Sequence, residues 1–319
     1  MELIRGLHNL HIEHRGCVAT IGNFDGIHRG HQAVLAQLAK VGKEMKLPTV
    51  LVTFEPQARE FFIPDSAPIR LTRLREKLLA LRKLPLERVC CLRFNHRLAG
   101  LTAQEFIDGL LHRGLGARYV LIGDDFRFGC RREGDVQMLT TEGQRLGFQV
   151  QQMETCFVGG GRVSSTRVRD MLGNGDLVTT EELLGRRYSL CGRVIHGDHR
   201  GTSLGFPTAN IDLHRRALPV TGVFVVEVHG LAKKPKAGIA NIGTRPTVDG
   251  TYGLMEVHLL DFNQDIYARQ IQVVLLHKLR NERRFDSVTD LKRQIRTDVE
   301  SCRAYFDAKP YDNHRKEDL

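Results

Sequence analysis

The chain changes rhythm part-way along, and that change limits what it can fold into. Up to about residue 150, short apolar runs alternate with helical patterns; from about Tyr188, apolar runs follow one another with only turns between them. In the first part "CVATIG", "TVLVTF", "RVCCLRF", "RYVLIG" and "FQVQQME" read as strands, and "HQAVLAQLAKVGKEM", "LTRLREKLLALRKL" and "TAQEFIDGLLHRGL" as the helices between them. Thr102 followed by Glu105 forms a capping box, and Phe106, Leu110 and Leu111 supply an apolar stripe. This alternation predicts a doubly wound parallel-sheet α/β domain, whose ligands sit beyond the carboxyl ends of the strands. In the second part "YSLCGRVIHG", "GVFVVEVHG", "KAGIANIG", "LMEVHLLDF" and "IQVVLLHKL" predict an antiparallel β-barrel or sandwich. One helix follows, opened by Ser287 and Asp290, with Leu291, Ile295, Val299, Cys302 and Phe306 on one face. The boundary is expected after the helical "VTTEELLGRR", giving domains 1–184 and 185–308 and a charged tail, 309–319.

A chain of 319 residues has room for two such cores. Its start shows no apolar signal segment and no run nears the ~18 apolar residues of a membrane span, so a soluble, cytoplasmic protein is expected, with no membrane partner. Seven cysteines, none in a CxxC pair, read as small hydrophobes in a reducing compartment and argue against zinc. The net charge of +10 favours anionic partners. Nucleic acid and nucleotides both qualify, but the lack of tryptophan and an aromatic content of 7% weaken a base-stacking surface.

The run "IGNFDGIHRGH" (21–31) interrupts an apolar strand with three glycines, an aspartate and two histidines. A strand that ends here and becomes a helix sets backbone N–H groups and the positive helix end beside a ligand. Gly22 and Gly26 remove side chains around Asn23, Phe24 and Asp25, so a phosphate could approach the main chain. His28 and His31 share one face of the first helical turn. A plain glycine turn, or a metal pair lacking a nearby third ligand, competes with this reading. No GK[ST] follows, which excludes a Walker A loop. Farther on, "GRVSSTRVR" (161–169) offers Ser164, Ser165 and Thr166 as hydroxyl donors to phosphate, with Arg162 and Arg169 adding charge. An ordinary helix cap on a basic surface would look similar.

His28-Arg29-Gly30-His31 resembles the HxGH signature of the nucleotidyltransferase superfamily, which includes adenylyltransferases and class I aminoacyl-tRNA synthetases. Beside it, "GRVSSTRVR" resembles the ISSTxVR segment of bacterial FAD synthetases, and "GDDFRFGCRREGD" (123–135), with Asp125, resembles their loop after a strand. "LTRLREKL" and "TFEPQARE" also match, except that Gln57 and Ala58 replace the usual histidine and proline. The resemblance implies adenylyl transfer from ATP to FMN. The FMN phosphate is already an anionic nucleophile, so no general base is needed. His28 and His31 would stabilise the transition state, while Ser165, Thr166 and Arg169 hold phosphates.

"GDHRGTSLGFPTANI" (197–211) clusters glycines among the β-type runs, as many turns do. If extended, its "PTAN" puts Thr208 and Asn210 on one side: hard oxygen donors suited to Mg²⁺ shared with nucleotide phosphates, with Pro207 stiffening the approach. Glu256 lies inside the apolar run "LMEVHLLDF", where alternation alone makes it an outward-facing residue. In this order "LGFPTAN", including Gly205, "NIGTRPTV" and "EVHLLDF" resemble the riboflavin kinase domain. That resemblance implies a kinase barrel with Glu256 as base for the ribityl hydroxyl, and Thr208 and Asn210 on Mg²⁺–ATP. Thr202 replaces a frequent arginine, and the role of Arg280–Glu282 in "LRNERRF" stays open.

Together the resemblances cover nearly the whole chain. They imply a two-step enzyme: riboflavin to FMN, then FMN to FAD with release of pyrophosphate. Its substrates would be ATP, riboflavin and FMN, with Mg²⁺ accompanying ATP, no tightly bound prosthetic group and no nucleic acid. A synthetase-like protein gripping tRNA shares HxGH and the positive charge, but no KMSKS-like segment is present and the barrel motifs carry no aromatic stacking face. A chain keeping one activity is the third possibility. Oligomeric state is not legible.

Overall fold

The computed structural model describes residues 1–197, 201, 204–215, 217–247 and 250–308. Two compact units result: residues 1–68 with 72–165, and residues 69–71 with 166–319. The helical interval after 165 clusters with the second unit. The expected tail, 309–319, lies outside the described residues.

The first unit holds six parallel strands: β1 (Glu2–Arg5), β2 (Cys17–Ile21), β3 (Thr49–Glu55), β4 (Arg88–Arg93), β5 (Ala117–Ile122) and β6 (Gln149–Gln152), ordered β1-β4-β3-β2-β5-β6. A parallel sheet covered on both faces needs strands that are apolar throughout, and all five residues of β2 are buried. One face packs Cys17, Ala19 and Ile21 with Phe106, Ile107, Leu110 and Leu111; the other packs Val18 with Leu35, Leu38, Val41 and Leu81. That is the doubly wound arrangement expected.

The helices are α1 (Arg29–Met45), α2 (Ala58–Phe62), α3 (Leu74–Leu81), α4 (His96–Ala99), α5 (Ala103–Phe106) and α6 (Val136–Leu146). Thr102 caps α5 as expected, its hydroxyl accepting from Glu105 N–H at 3.1 Å while its own N–H donates to Glu105 Oε2 at 2.8 Å. Beyond α5 the expected regular helix is a π-helix over Ile107–Gly114. Leu115 N–H donates five residues back to Leu110 at 2.8 Å, and this winding keeps Phe106, Ile107, Leu110, Leu111 and Leu115 all in the core. A two-stranded hairpin, β7 (Phe157–Val158) and β8 (Gly161–Arg162), precedes α7 (Ser165–Asn174) and α8 (Leu177–Leu184).

The second unit contains a closed antiparallel barrel of β9 (Ser189–Ile195), β10 (Ala209–Asp212), β11 (Gly222–His229), β12 (Lys236–Thr247), β13 (Gly250–Leu259) and β14 (Gln270–Arg280), ordered β10-β13-β12-β11-β14-β9. Closure leaves no sheet edge. β10 is the strand not legible as one, being four residues long. On β11, Phe224, Val226 and Val228 are buried on the inner face, while Val223 and Val225 turn outward beneath the terminal helix α9 (Val288–Ala308). Val299, Cys302 and Phe306 of the expected helix face cover them, with Tyr305.

Candidate active sites

In the sheet order, the chain runs from β2 outward on one side through β3 and, later, restarts on the other side with β5. The crevice beyond the carboxyl ends of β2 and β5 is therefore the topological switch point, where α/β sheets bind ligands. Two sequence-predicted segments follow these strands: 22–28 after β2 and 123–135 after β5.

The loop after β2 is held in an unusual backbone. Phe24 and Ile27 take φ of 47° and Gly26 takes 86°. Left-handed geometry is costly for Phe and Ile, so the surroundings must enforce it. They do. Asp25, 2% exposed, accepts from Thr72 N–H at 2.9 Å and Thr72 Oγ1–H at 3.2 Å. Gly26 N–H donates to Thr72 Oγ1 at 3.0 Å, and Ser165 Oγ–H to the Asp25 carbonyl at 2.9 Å. Gly22 N–H bonds Val52 O at 3.0 Å. The amides of Gly22 and Gly26, which the sequence offered to phosphate, are thus engaged in building the loop.

His28 is the N-cap of α1, its Nδ1 accepting from His31 N–H at 3.3 Å. Its ring stacks on that of His31 with centroids 3.6 Å apart, and His31 also stacks on Phe24 at 4.5 Å. Gly30 explains the glycine in HxGH: a Cβ there would come within 3.2 Å of the His28 ring. Arg162 is elsewhere occupied. Its Nη2 lies 2.8 Å from Asp124 and 3.7 Å from Asp125, tying β8 to the loop after β5; Thr155 Oγ1–H also donates to Asp124. Ser164 precedes α7 in the first unit, while Thr166 and Arg169 belong to the second, where Arg169 Nε–H donates to the Ile69 carbonyl. Sequence reasoning missed Lys77 and Thr53, both fully buried, which bond the Asn23 carbonyl. A lysine in an amphipathic helix carries no signal of burial.

In the barrel, Glu256 on β13 lies directly opposite Asn210 on β10 and Asn241 on β12. Directly opposed residues share a face, so the three side chains form one row across three strands. Met255 and Val257 are buried inside and Glu256 is half-buried outside, as alternation predicted. The outer face is nevertheless not plain solvent. Glu282, beyond β14, accepts from the Asn241 side chain and its carboxylate lies where a Cβ on Gly243 would go. Partial burial, then the neighbouring Glu256, raises the Glu282 pKa above the usual carboxylate range. Neither Asn241 nor this use of Glu282 was legible, since only closure of the strands brings them to Glu256.

The PTAN segment enters β10 beside this row. His258, two residues after Glu256, donates Nδ1–H to the Pro207 carbonyl at 2.8 Å. Gly205 takes a φ of 85°. Gly201 must be glycine, because a Cβ there would sit 2.5 Å from the Phe206 carbonyl oxygen and 2.6 Å from Thr208 Oγ1, and a Cβ on Gly197 would come closer still to the Asn210 amide. Thr202 lies outside the described residues.

Comparison with known proteins agrees with both halves. A family model described as FAD synthetase matches residues 10–167, and one described as riboflavin kinase matches residues 184–306. The curated "Bifunctional riboflavin kinase/FMN adenylyltransferase" of Escherichia coli K12 is 51% identical over 307 residues, 96% of this chain and 98% of that one. The chain belongs to this bifunctional family. Proteins of the same description from Pseudomonas fluorescens and Haemophilus influenzae are 50% and 45% identical, over 95% and 97% of this chain and 97% and 100% of theirs. A crystal structure described as a macrolide-efflux protein from Streptococcus pneumoniae superposes with a TM-score of 0.81 at 30% identity, covering 95% of this chain and 99% of that one. Efflux is that description's word. Among the described residues here, no helix is long and apolar enough to cross a membrane.

Proposed function

We propose that the chain makes FMN and then FAD, phosphorylating riboflavin in the barrel and adenylylating FMN in the parallel-sheet unit, with ATP as donor in both. The observation that carries the residue assignment is the row Asn210–Glu256–Asn241, a carboxylate between two amides on one face. Glu256 takes the proton of the ribityl hydroxyl as that oxygen attacks the γ-phosphorus of ATP, and ADP leaves. Gly205 and Pro207 line the nucleotide approach. In the first unit an oxygen of the FMN phosphate attacks the α-phosphorus and pyrophosphate leaves. His28, His31 and the start of α1 stabilise the charge that develops there. The loop of Gly22, Asn23, Phe24, Asp25 and Gly26, its Gly22 and Gly26 amides engaged in its own scaffold, lies beside the polyphosphate, with Asp125, Ser164 and Ser165 around it and Arg162 held by Asp124. For Thr166 and Arg169 the support is the sequence resemblance alone.

Mg²⁺ fits the kinase row on the chemistry of its donors. Thr208 and Asn210 offer uncharged hard oxygens, and among the described residues no three His, Cys, Asp or Glu gather as a protein cage. Such a pair suits an ion that keeps waters and shares phosphate oxygens; when bound it would neutralise phosphate charge. A chromatographic time course with riboflavin, ATP and Mg²⁺ tests the proposal. FMN should appear first and FAD follow; riboflavin left unconsumed would sink the kinase half, and FMN accumulating without FAD the other.

A further inference from the structure

Lys77, on the first turns of α3, is fully buried at 0% exposure and is the only lysine or arginine so buried among the described residues. An ammonium is costly to take out of water, and replacing such a group by an apolar one of similar volume is often neutral or stabilising. Its place therefore calls for a use. Nζ donates to the Asn23 carbonyl at 2.6 Å and to Thr53 Oγ1 at 3.4 Å, while Thr53 Oγ1–H donates to the same carbonyl at 3.3 Å.

The grip on that carbonyl has a consequence one atom along. The Asn23–Phe24 peptide is trans, so its N–H points opposite to its C=O. With the carbonyl drawn towards Lys77, the Phe24 N–H is aimed away from Lys77. Phe24 is 4% exposed, and its N–H has no acceptor among the described residues. A buried backbone donor is ordinarily paired, and this one opens the segment of left-handed residues that leads to His28.

We infer that Lys77 is a positioning residue for adenylyl transfer: it holds the Asn23 carbonyl so that the Phe24 N–H is presented to a phosphate oxygen of ATP. The inference rests on the reading that the loop after β2 binds the polyphosphate. A group fixed in advance acts at the transition state without reorganising, so its loss falls on turnover.

The test uses the full chain with Lys77→Met. Calorimetric titration of parent and variant with a non-hydrolysable ATP analogue and Mg²⁺ counts their nucleotide sites; the barrel site is common to both, so any shortfall against the parent counts lost adenylylation sites, and FAD formation is expressed per remaining site. The expected result is FAD formation down about 10²-fold per site, with affinity for the analogue within about tenfold and riboflavin kinase turnover unchanged. A purely structural lysine would lower the number of sites and leave turnover per site alone, which would overturn the inference. Should Lys77→Met not fold, the unmodified chain decides: the Phe24 amide resonance should move downfield on adding the analogue, and an unmoved amide overturns the inference. The underlying reading is separable. If His31→Ala still makes FAD at the wild-type rate, the loop is not the adenylylation site, whatever Lys77 does.

Discussion

The rings of His28 and His31 lie face to face, their centroids 3.6 Å apart and their planes 14° from parallel. Two imidazoles held so present their edges side by side, which suits the proposed role of addressing neighbouring oxygens of one polyphosphate. Phe24 on His31 and the His28 N-cap bond fix the stack before a ligand arrives.

The cap and the chemistry of His28 can be separated. Asn is among the best N-cap residues and reaches the same N–H, but has no ring to stack or donate. His28→Asn should therefore melt within about 1 kcal/mol of the parent while losing about 10²–10³-fold in FAD formation. Wild-type FAD formation by this variant, measured with supplied FMN and ATP, would remove His28 from the site.

Glu256→Gln keeps the size and hydrogen-bonding reach of the side chain and removes its basicity. Riboflavin phosphorylation should fall about 10²–10⁴-fold, the usual worth of a general base. FAD formation from supplied FMN should be unchanged, because an FMN phosphate brings no proton that must be removed. Equal loss of both activities would mean that Glu256 supports the fold rather than the hydroxyl.

How far these sites were legible follows from what each residue's signal depends on. His28 and His31 lie in one short run whose spacing already implies a shared face, and the structure adds the stack. Thr102 and Glu105 are likewise a local pair, and their capping box is present with both hydrogen bonds. The π-winding of Ile107–Gly114 was hidden because both windings bury Leu110 and Leu111. Asp124, Asn241, Glu282 and Lys77 owe their importance to segments that meet only through the fold. Arg162 shows the converse: its type suggested a phosphate contact, but type cannot reveal that Asp124 is beside it.

Glu282 supplies a pH signature. Its pKa lies above the ordinary value of 4.5, from burial first and the Glu256 charge as an additional cause. A carboxyl that holds its proton more tightly folded than unfolded favours the fold below the unfolded pKa, and that benefit is lost as pH rises through the raised value. Glu282→Gln abolishes the titration. Its melting temperature relative to the parent should therefore climb between about pH 4 and neutrality, as followed by thermal melts across that range. A difference independent of pH would show that neither burial nor Glu256 raises the pKa of Glu282 in the folded chain.

The segment that carries Glu282 is itself braced. Arg280, at the end of β14, meets Asp298 of α9 through Nε at 3.1 Å and Nη2 at 2.8 Å, and Gln294 adds a third donor at 2.8 Å. Asp298 is 5% exposed, so this pair is largely shielded from water. Removing one partner of such a pair strands the other charge, which costs more than the pair itself contributes. Asp298→Ala should destabilise the barrel unit by about 3–5 kcal/mol, whereas an apolar pair, Arg280→Met with Asp298→Leu, should cost markedly less. Urea unfolding followed through loss of riboflavin kinase activity measures both. Because Glu282 sits two residues beyond Arg280, the folded fraction of Asp298→Ala should also phosphorylate riboflavin more slowly per molecule. A small stability loss for the single variant would mean that Arg280 finds other partners and that α9 is held by Val299, Cys302 and Phe306 alone.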